Sequence, residues 1–221
     1  MDVDRERPVR LFGYWRSSAT WRVRIALHLK GVPFEVVPVH LVRAGGEQRA
    51  AEHRARNPLG QVPVLEVVVD GRPALLTQSL AILDFLEAVW PAPALFPKDP
   101  LARARALALA EVVNSGIQPL QNLGVGRRVE ALGGDAAVWN REVIGEGLAA
   151  LEAMAASTAG RFLVGDAVSV ADCCLVPQLY NARRLGVDLA SMPTLCRVEA
   201  ACSELEAFAR ARPEVQVDAV G

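Results

Sequence analysis

The chain has 221 residues, enough for one large domain or two small ones with a real core. Its 52% hydrophobic content describes a globular protein, and a formal net charge of −1 excludes the basic excess that nucleic acid or an anionic membrane favours. The first ten residues, MDVDRERPVR, carry no apolar signal segment, and no apolar run is long enough to cross a bilayer, so the expectation is a cytoplasmic protein.

Val9 to Tyr14 reads as a short strand, followed by a helix from about Ser18 to Lys30 that Gly31-Val32-Pro33 breaks. Phe34 to Val39 reads as a second strand. A polar segment with Gly45-Gly46 leads to Asn57-Pro58-Leu59-Gly60-Gln61-Val62-Pro63. Two strands then flank the turn Asp70-Gly71, Val64 to Val69 and Ala74 to Thr77, and Gln78 to Val89 has helical spacing. The order βαβ, then ββα, requires one parallel and one antiparallel pairing, hence a mixed sheet.

Residues 91–100, PAPALFPKDP, hold four prolines and read as a linker. Beyond them helical patterns cover Leu101 to about Leu120, Ala136 to about Ala155, Ser169 to about Leu185 and Thr194 to about Arg210. The expected organisation is an α/β domain over 9–90 and an all-α domain over 98–213.

Four cysteines (Cys173, Cys174, Cys196 and Cys202) form no C-x-x-C pair, and His28, His40 and His53 lie far from them. Zinc and dithiol spacings are absent, so the cysteines read as core residues and no metal site is expected.

Three places offer anion-binding chemistry. In Trp15-Arg16-Ser17-Ser18-Ala19-Thr20, hydroxyls crowd a helix start, where unpaired N–H groups and the helix dipole favour negative charge. An ordinary N-cap explains one of them but not all. Val62-Pro63 enters a strand, as a trans edge proline or as a cis turn presenting the Val62 backbone to an extended peptide. Gln78-Ser79 repeats the first arrangement at a second helix start. A fourth feature, Ser169 and Asp172 before an apolar run, is a capping box tying a loop to its helix. Arg183 and Arg184 further along that helix form a solvated face on residue chemistry alone.

Taken together, YWRSSATWRVRIALHLKG, NPLGQVPVL, TQSLAILDFLE, GIQPLQNL, GDAVSVADCCLVPQ and NARRLGVDL resemble the glutathione transferases, specifically the zeta class of maleylacetoacetate isomerases. VPVL and SVAD are general to that fold; the serine-arginine stretch and IQPLQN are specific to the class. The resemblance implies a thioredoxin-like first domain that holds glutathione and an all-helical second domain for the substrate. Ser17 and Ser18 would face the glutathione sulfur, Val62 before a cis Pro63 would pair with its cysteinyl backbone, and Gln78 and Ser79 would hold its γ-glutamyl carboxylate. Gln118 and Asn122 would complete the glutathione site.

The implied reaction is cis–trans isomerisation of a diketo acid, maleylacetoacetate to fumarylacetoacetate in tyrosine and phenylalanine catabolism, by thiolate addition, bond rotation and elimination. Arg16 would stabilise the charge that develops, together with Arg184, which the resemblance turns from solvent toward substrate. A homodimer is also implied. Maleylpyruvate isomerisation, or general conjugation of small electrophiles, are the alternatives. Ala19 departs from the class pattern Ser-Ser-Cys, which removes the second thiol that reductive dehalogenation would need.

Overall fold

The computed structural model describes residues 2–219. Strand β1 (Val9–Gly13), helix α1 (Ser18–Leu29) and strand β2 (Phe34–Pro38) form a parallel crossover, with Val9 paired to Phe34 and Gly13 to Pro38. β3 (Val64–Val69) lies antiparallel to β1, and β4 (Arg72–Thr77) antiparallel to β3, giving the order β2-β1-β3-β4. The mixed sheet expected from the sequence is present. Asp70 (φ 49°) and Gly71 (φ 73°) make the tight β3–β4 turn, with the left-handed pair of conformations that matches strand twist.

Helix α1 ends where the sequence indicates. Gly31 takes φ 62°, its N–H donates to the His28 carbonyl, and Val32 N–H reaches back to the Leu27 carbonyl. This Schellman closure satisfies carbonyls that the helix leaves unpaired. Lys30, fully buried at its ammonium, ties that end to helix α3 (Ser79–Val89) through Glu87 at 2.8 Å and the Trp90 carbonyl at 2.7 Å. Gly13 closes β1 because any Cβ there would collide with the Thr20 methyl of α1. One short helix, α2 (Ala51–Arg56), lies in the segment expected to be polar connector. Its sequence AEHRAR has no apolar stripe, so periodicity could not reveal it.

The remaining helices are α4 (Pro100–Glu111), α5 (Leu123–Ala131), α6 (Ala136–Ala155), α7 (Val170–Arg184), α8 (Pro193–Ser203) and α9 (Glu206–Ala211). Residues up to Ala94, together with those from Glu206 on, form one compact unit; Leu95–Leu205 form the other. In the helical unit α7 is the buried centre, with Cys173, Cys174, Leu175 and Leu179 wholly inaccessible. Glu152 caps α8, accepting from Thr194 and Leu195 N–H at 3.0 and 2.9 Å.

Three differences from the sequence expectation have physical causes. The helix expected through Leu120 turns π-helical over Val112–Ile117, where Ile117 packs against the bare Cα of Gly147. Helix α5 contains Gly124 and Gly126, whose low helix propensity masks it, and starts on the Asn122 cap. The single helix expected over 194–210 is two, because the run breaks at Glu204-Leu205 and α9 packs on α1 of the first unit. No helix among the described residues is long and apolar enough to cross a membrane.

Candidate active site

The sheet register brings three of the predicted features to one edge. Phe12 pairs with Val64, and Val64 with Thr77. The end of β1, the start of β3 and the end of β4 are therefore neighbours. The turn 14–17, Val62-Pro63 and Gln78-Ser79 all leave the sheet at that edge.

At the first, Ser17 is the N-cap of α1, and its Oγ accepts the Thr20 N–H at 3.3 Å. Its N–H donates to the Tyr14 carbonyl at 3.0 Å, closing the turn. Capping uses a lone pair of the hydroxyl and leaves its hydrogen able to donate outward. Cap and anion donor are thus compatible roles for one oxygen. Ser18 is buried, and no acidic residue occupies the first turn of α1, so nothing there offsets the positive helix end. Arg16 is half-buried, its guanidinium 5.0 Å from the centroid of the Trp15 ring.

At the second, the Val62-Pro63 bond is cis, and Val62 lies just outside the last pairing of β3. Two residues not singled out in the sequence hold the preceding loop. His53 Nε2 and Asn57 Nδ2 both lie 2.9 Å from the Gln61 carbonyl, so His53 carries its proton on Nε2 and both donate. Asn57 Oδ1 also accepts the Leu59 N–H. The signal available was a histidine in a charged segment, which spacing alone does not distinguish.

At the third, Gln78 starts α3 at φ 67° and makes no side-chain cap. A non-glycine residue at such a positive φ costs about 1–3 kcal/mol. Ser79 is buried, and its Oγ accepts from Nη1 of the fully buried Arg22 at 3.2 Å. Neither α1 nor α3 has an acid in its first turn. A carboxylate meets at α3 a hydroxyl, backbone N–H groups and a guanidinium behind them.

The predicted residues of the helical unit are placed as follows. Gln118 follows the π-helical stretch, half-buried, with its Oε1 lacking a hydrogen-bond partner. Asn122 Oδ1 accepts the Gly124 N–H at 2.9 Å as the α5 cap, leaving its amide N–H groups as the donors it offers. Gln121 and the buried Gln178 exchange hydrogen bonds at 2.9 and 3.1 Å, and Trp139 Nε1 donates to the Leu120 carbonyl, which pins residues 118–122. Sequence reasoning missed this Gln121–Gln178 pair.

Arg183 is committed to a two-pronged contact with Glu199 that holds its guanidinium above the ordinary value. Arg184 is exposed and donates to Asn181 Oδ1 at 3.3 and 3.1 Å. The capping box is present: Asp172 accepts from Ser169 N–H at 2.7 Å, Ser169 O–H at 2.9 Å and Leu163 N–H at 2.9 Å. Cys202 is pushed far up by burial, as an inert core thiol should be. Among the described residues no cluster of histidine, cysteine or carboxylate side chains could hold a metal ion.

Residues 16–89 match the family "Glutathione S-transferase, N-terminal domain", and residues 139–206 match "Glutathione S-transferase, C-terminal domain". The maleylacetoacetate isomerase of Mus musculus is 45% identical over 208 residues, 94% of each chain. The maleylacetoacetate isomerase of Anaeromyxobacter dehalogenans 2CP-1, solved with GSH in its active site, is 54% identical with a TM-score of 0.89. The match covers 96% of this chain and 98% of that one. The maleylpyruvate isomerase of Pseudomonas aeruginosa PAO1 is 43% identical with a TM-score of 0.79, covering 96% and 100%.

Proposed function

Because the chain belongs to the zeta class of the glutathione S-transferase family, we propose that it is a glutathione-dependent isomerase converting maleylacetoacetate to fumarylacetoacetate. The observation that carries this reading is the register Phe12–Val64–Thr77, which sets two acid-free helix starts on either side of a cis-proline turn. An extended tripeptide anion with a thiol on its middle residue and a carboxylate at its end fits that arrangement of donors, the thiol at one helix start and the carboxylate at the other. Bound glutathione supplies the thiolate that adds to the cis double bond and leaves again after rotation.

The chain's own residues hold and polarise. Ser17 donates its hydroxyl hydrogen toward the sulfur while its oxygen stays engaged with Thr20 N–H, and Ser18 and the α1 N-terminus add to the field that lowers a thiol's pKa. Val62 offers its backbone to the cysteinyl residue. Gln78 and Ser79 hold the γ-glutamyl carboxylate, with Arg22 behind Ser79. Gln118 and Asn122 add amide donors. Arg16 and Arg184 meet the substrate carboxylates and the negative charge that develops on the enone oxygen; fixed donors aimed at developing charge are worth several kcal/mol. We place the enzyme in the cytoplasm as a homodimer, acting in aromatic amino-acid catabolism, readings that rest on the family likeness.

The test is an assay of maleylacetoacetate and maleylpyruvate, each with and without glutathione. Glutathione-dependent turnover of maleylacetoacetate, with no net loss of glutathione, is expected. Turnover without glutathione overturns the mechanism, and stoichiometric consumption would instead assign a conjugating transferase. A preference for maleylpyruvate is the second reading, favoured by the Pseudomonas aeruginosa structure.

A further inference from the structure

The turn that presents Arg16 and Ser17 is held by a segment 203 residues further along the chain. Trp15 sits in its middle, buried between the end of β1 and the start of α1, where neither sheet nor helix pairs its peptide groups. The Trp15 N–H donates to Asp218 Oδ2 at 2.9 Å, and its carbonyl accepts from Arg24 Nη2 at 2.7 Å. Arg24 Nε also donates to the Ala211 carbonyl at 3.1 Å. The two peptide groups flanking Trp15 are thus gripped, one by an acid from beyond α9 and the other by a guanidinium from α1, both within the same compact unit.

The grip is mutual. Arg24 is wholly inaccessible, and burial pulls it down to about 10 while the charge of Asp218 pushes it back up. A buried guanidinium is tolerated only with hydrogen bonds and an opposing charge nearby. The segment carrying Asp218 is itself fixed: Pro213–Val215 forms a short 3₁₀ turn, and Gln216 Nε2 donates to the Arg210 and Arg212 carbonyls at 3.1 and 2.7 Å. Arg16 lies over the Trp15 ring, so the Trp15 orientation also sets the Arg16 guanidinium.

We propose that Asp218 and Arg24 are positioning residues for the reaction, and that the segment after α9 is a strap holding the Trp15–Ser17 turn in its working geometry. This inference rests on the isomerase reading. It goes beyond that reading by adding a strap and two residues that touch neither glutathione nor substrate. A misplacement of about 1 Å at a reacting group can cost about 100-fold in rate, so a held turn is worth a dedicated contact.

Asp218→Ala and Asp218→Asn are compared with the parent chain. Hydrogen exchange at residues 14–18, which needs no ligand, is expected to accelerate in Asp218→Ala. Its kcat should fall by about 10- to 100-fold, with the KM for the diketo acid moved much less. The thiol of bound glutathione, followed by thiolate absorbance against pH, should titrate higher. Asp218→Asn keeps an acceptor for the Trp15 N–H and should recover most of the turnover. Parent-like exchange, kcat and thiol titration in Asp218→Ala overturn the strap. So does equal loss in both variants with a matching fall in melting temperature, which would mark a purely structural role. A parent chain that binds no glutathione by calorimetry overturns the isomerase reading, and the strap's catalytic purpose with it, whatever the exchange shows.

Discussion

Arg22 Nη1 donates to Ser79 Oγ at 3.2 Å, joining the first helix to the start of the third from inside the core. The contact uses the serine's lone pair and leaves its hydrogen as a donor directed away from Arg22. Ser79→Ala removes both a donor to the carboxylate and an acceptor for a buried guanidinium. Hydrogen bonds to charged groups are worth about 1.5–3 kcal/mol, so glutathione affinity should fall by about 10- to 150-fold, read by calorimetry. An unchanged Kd would remove Ser79 from the site.

Ser17 offers a way to separate capping from chemistry. Asparagine caps a helix start about as well as serine but cannot place a hydroxyl on the sulfur. Ser17→Asn should keep the parent's melting temperature and lose turnover by about 100-fold or more. Ser17→Ala should lose both, with about 1 kcal/mol of stability going with the cap. If Ser17→Asn turns over normally, the thiolate is held by Ser18 or the backbone instead.

The parts of this fold that repeat a period or carry a punctuating residue were legible in the sequence. Asp70-Gly71 announces a hairpin, Gly31 a helix end, and Ser169 with Asp172 a capping box, because each residue type answers a local backbone need. The register was not written locally. That Phe12, Val64 and Thr77 share one row follows only once the strands pair, yet this row makes three weak motifs into one site. Likewise Arg22 and Arg24 carry charge that ordinarily faces solvent, yet both are buried, Arg22 reaching Ser79 and Arg24 the Trp15 and Ala211 carbonyls. His53 and Asn57 were hidden for the same reason, their shared target being a carbonyl.

Ala19 sits half-buried in the first turn of α1, beside the proposed sulfur donors, in place of the class cysteine. The chain's cysteines are all in the helical unit, and three of the four are buried. After many turnovers glutathione should remain reduced, and intact-mass spectrometry should show no glutathione adduct on the protein. Ala19→Cys should acquire such an adduct under mild oxidation. An adduct on the parent chain would assign redox chemistry to one of its own cysteines, Cys196 being the one that is not buried.

His28 packs edge to face on Phe34. Burial, and then the charges of Arg210 and Arg24, hold its imidazole down to about 4, with Glu206 opposing. Between its ordinary 6.5 and about 4 the unfolded chain takes a proton that the native chain refuses. Its contribution to stability is therefore lost as pH falls through that window. His28→Gln should flatten the acid side of a plot of melting temperature against pH; an unaltered slope would place the acid sensitivity elsewhere.

Asp172 pulls in the opposite direction. Burial pushes its carboxyl up from 3.8 to about 6, against the hydrogen bonds from Leu163 and Ser169 that favour the anion. Between those values the native chain keeps a proton that the unfolded chain has released, so this group's contribution falls as pH rises from about 4 to 6. Asp172→Asn abolishes that titration, and its amide N–H group faces the Ser169 donors, costing about 1–3 kcal/mol through an unmet buried hydrogen bond. The stability gap between parent and Asp172→Asn should then be widest near pH 4 and narrow by about 1–3 kcal/mol toward pH 7. His28 titrates alike in both chains and cancels from the difference, so denaturant unfolding at the two pH values isolates Asp172. A gap that widens toward neutral pH would show that the hydrogen bonds to the anion outweigh its burial, and would reverse the sign assigned here.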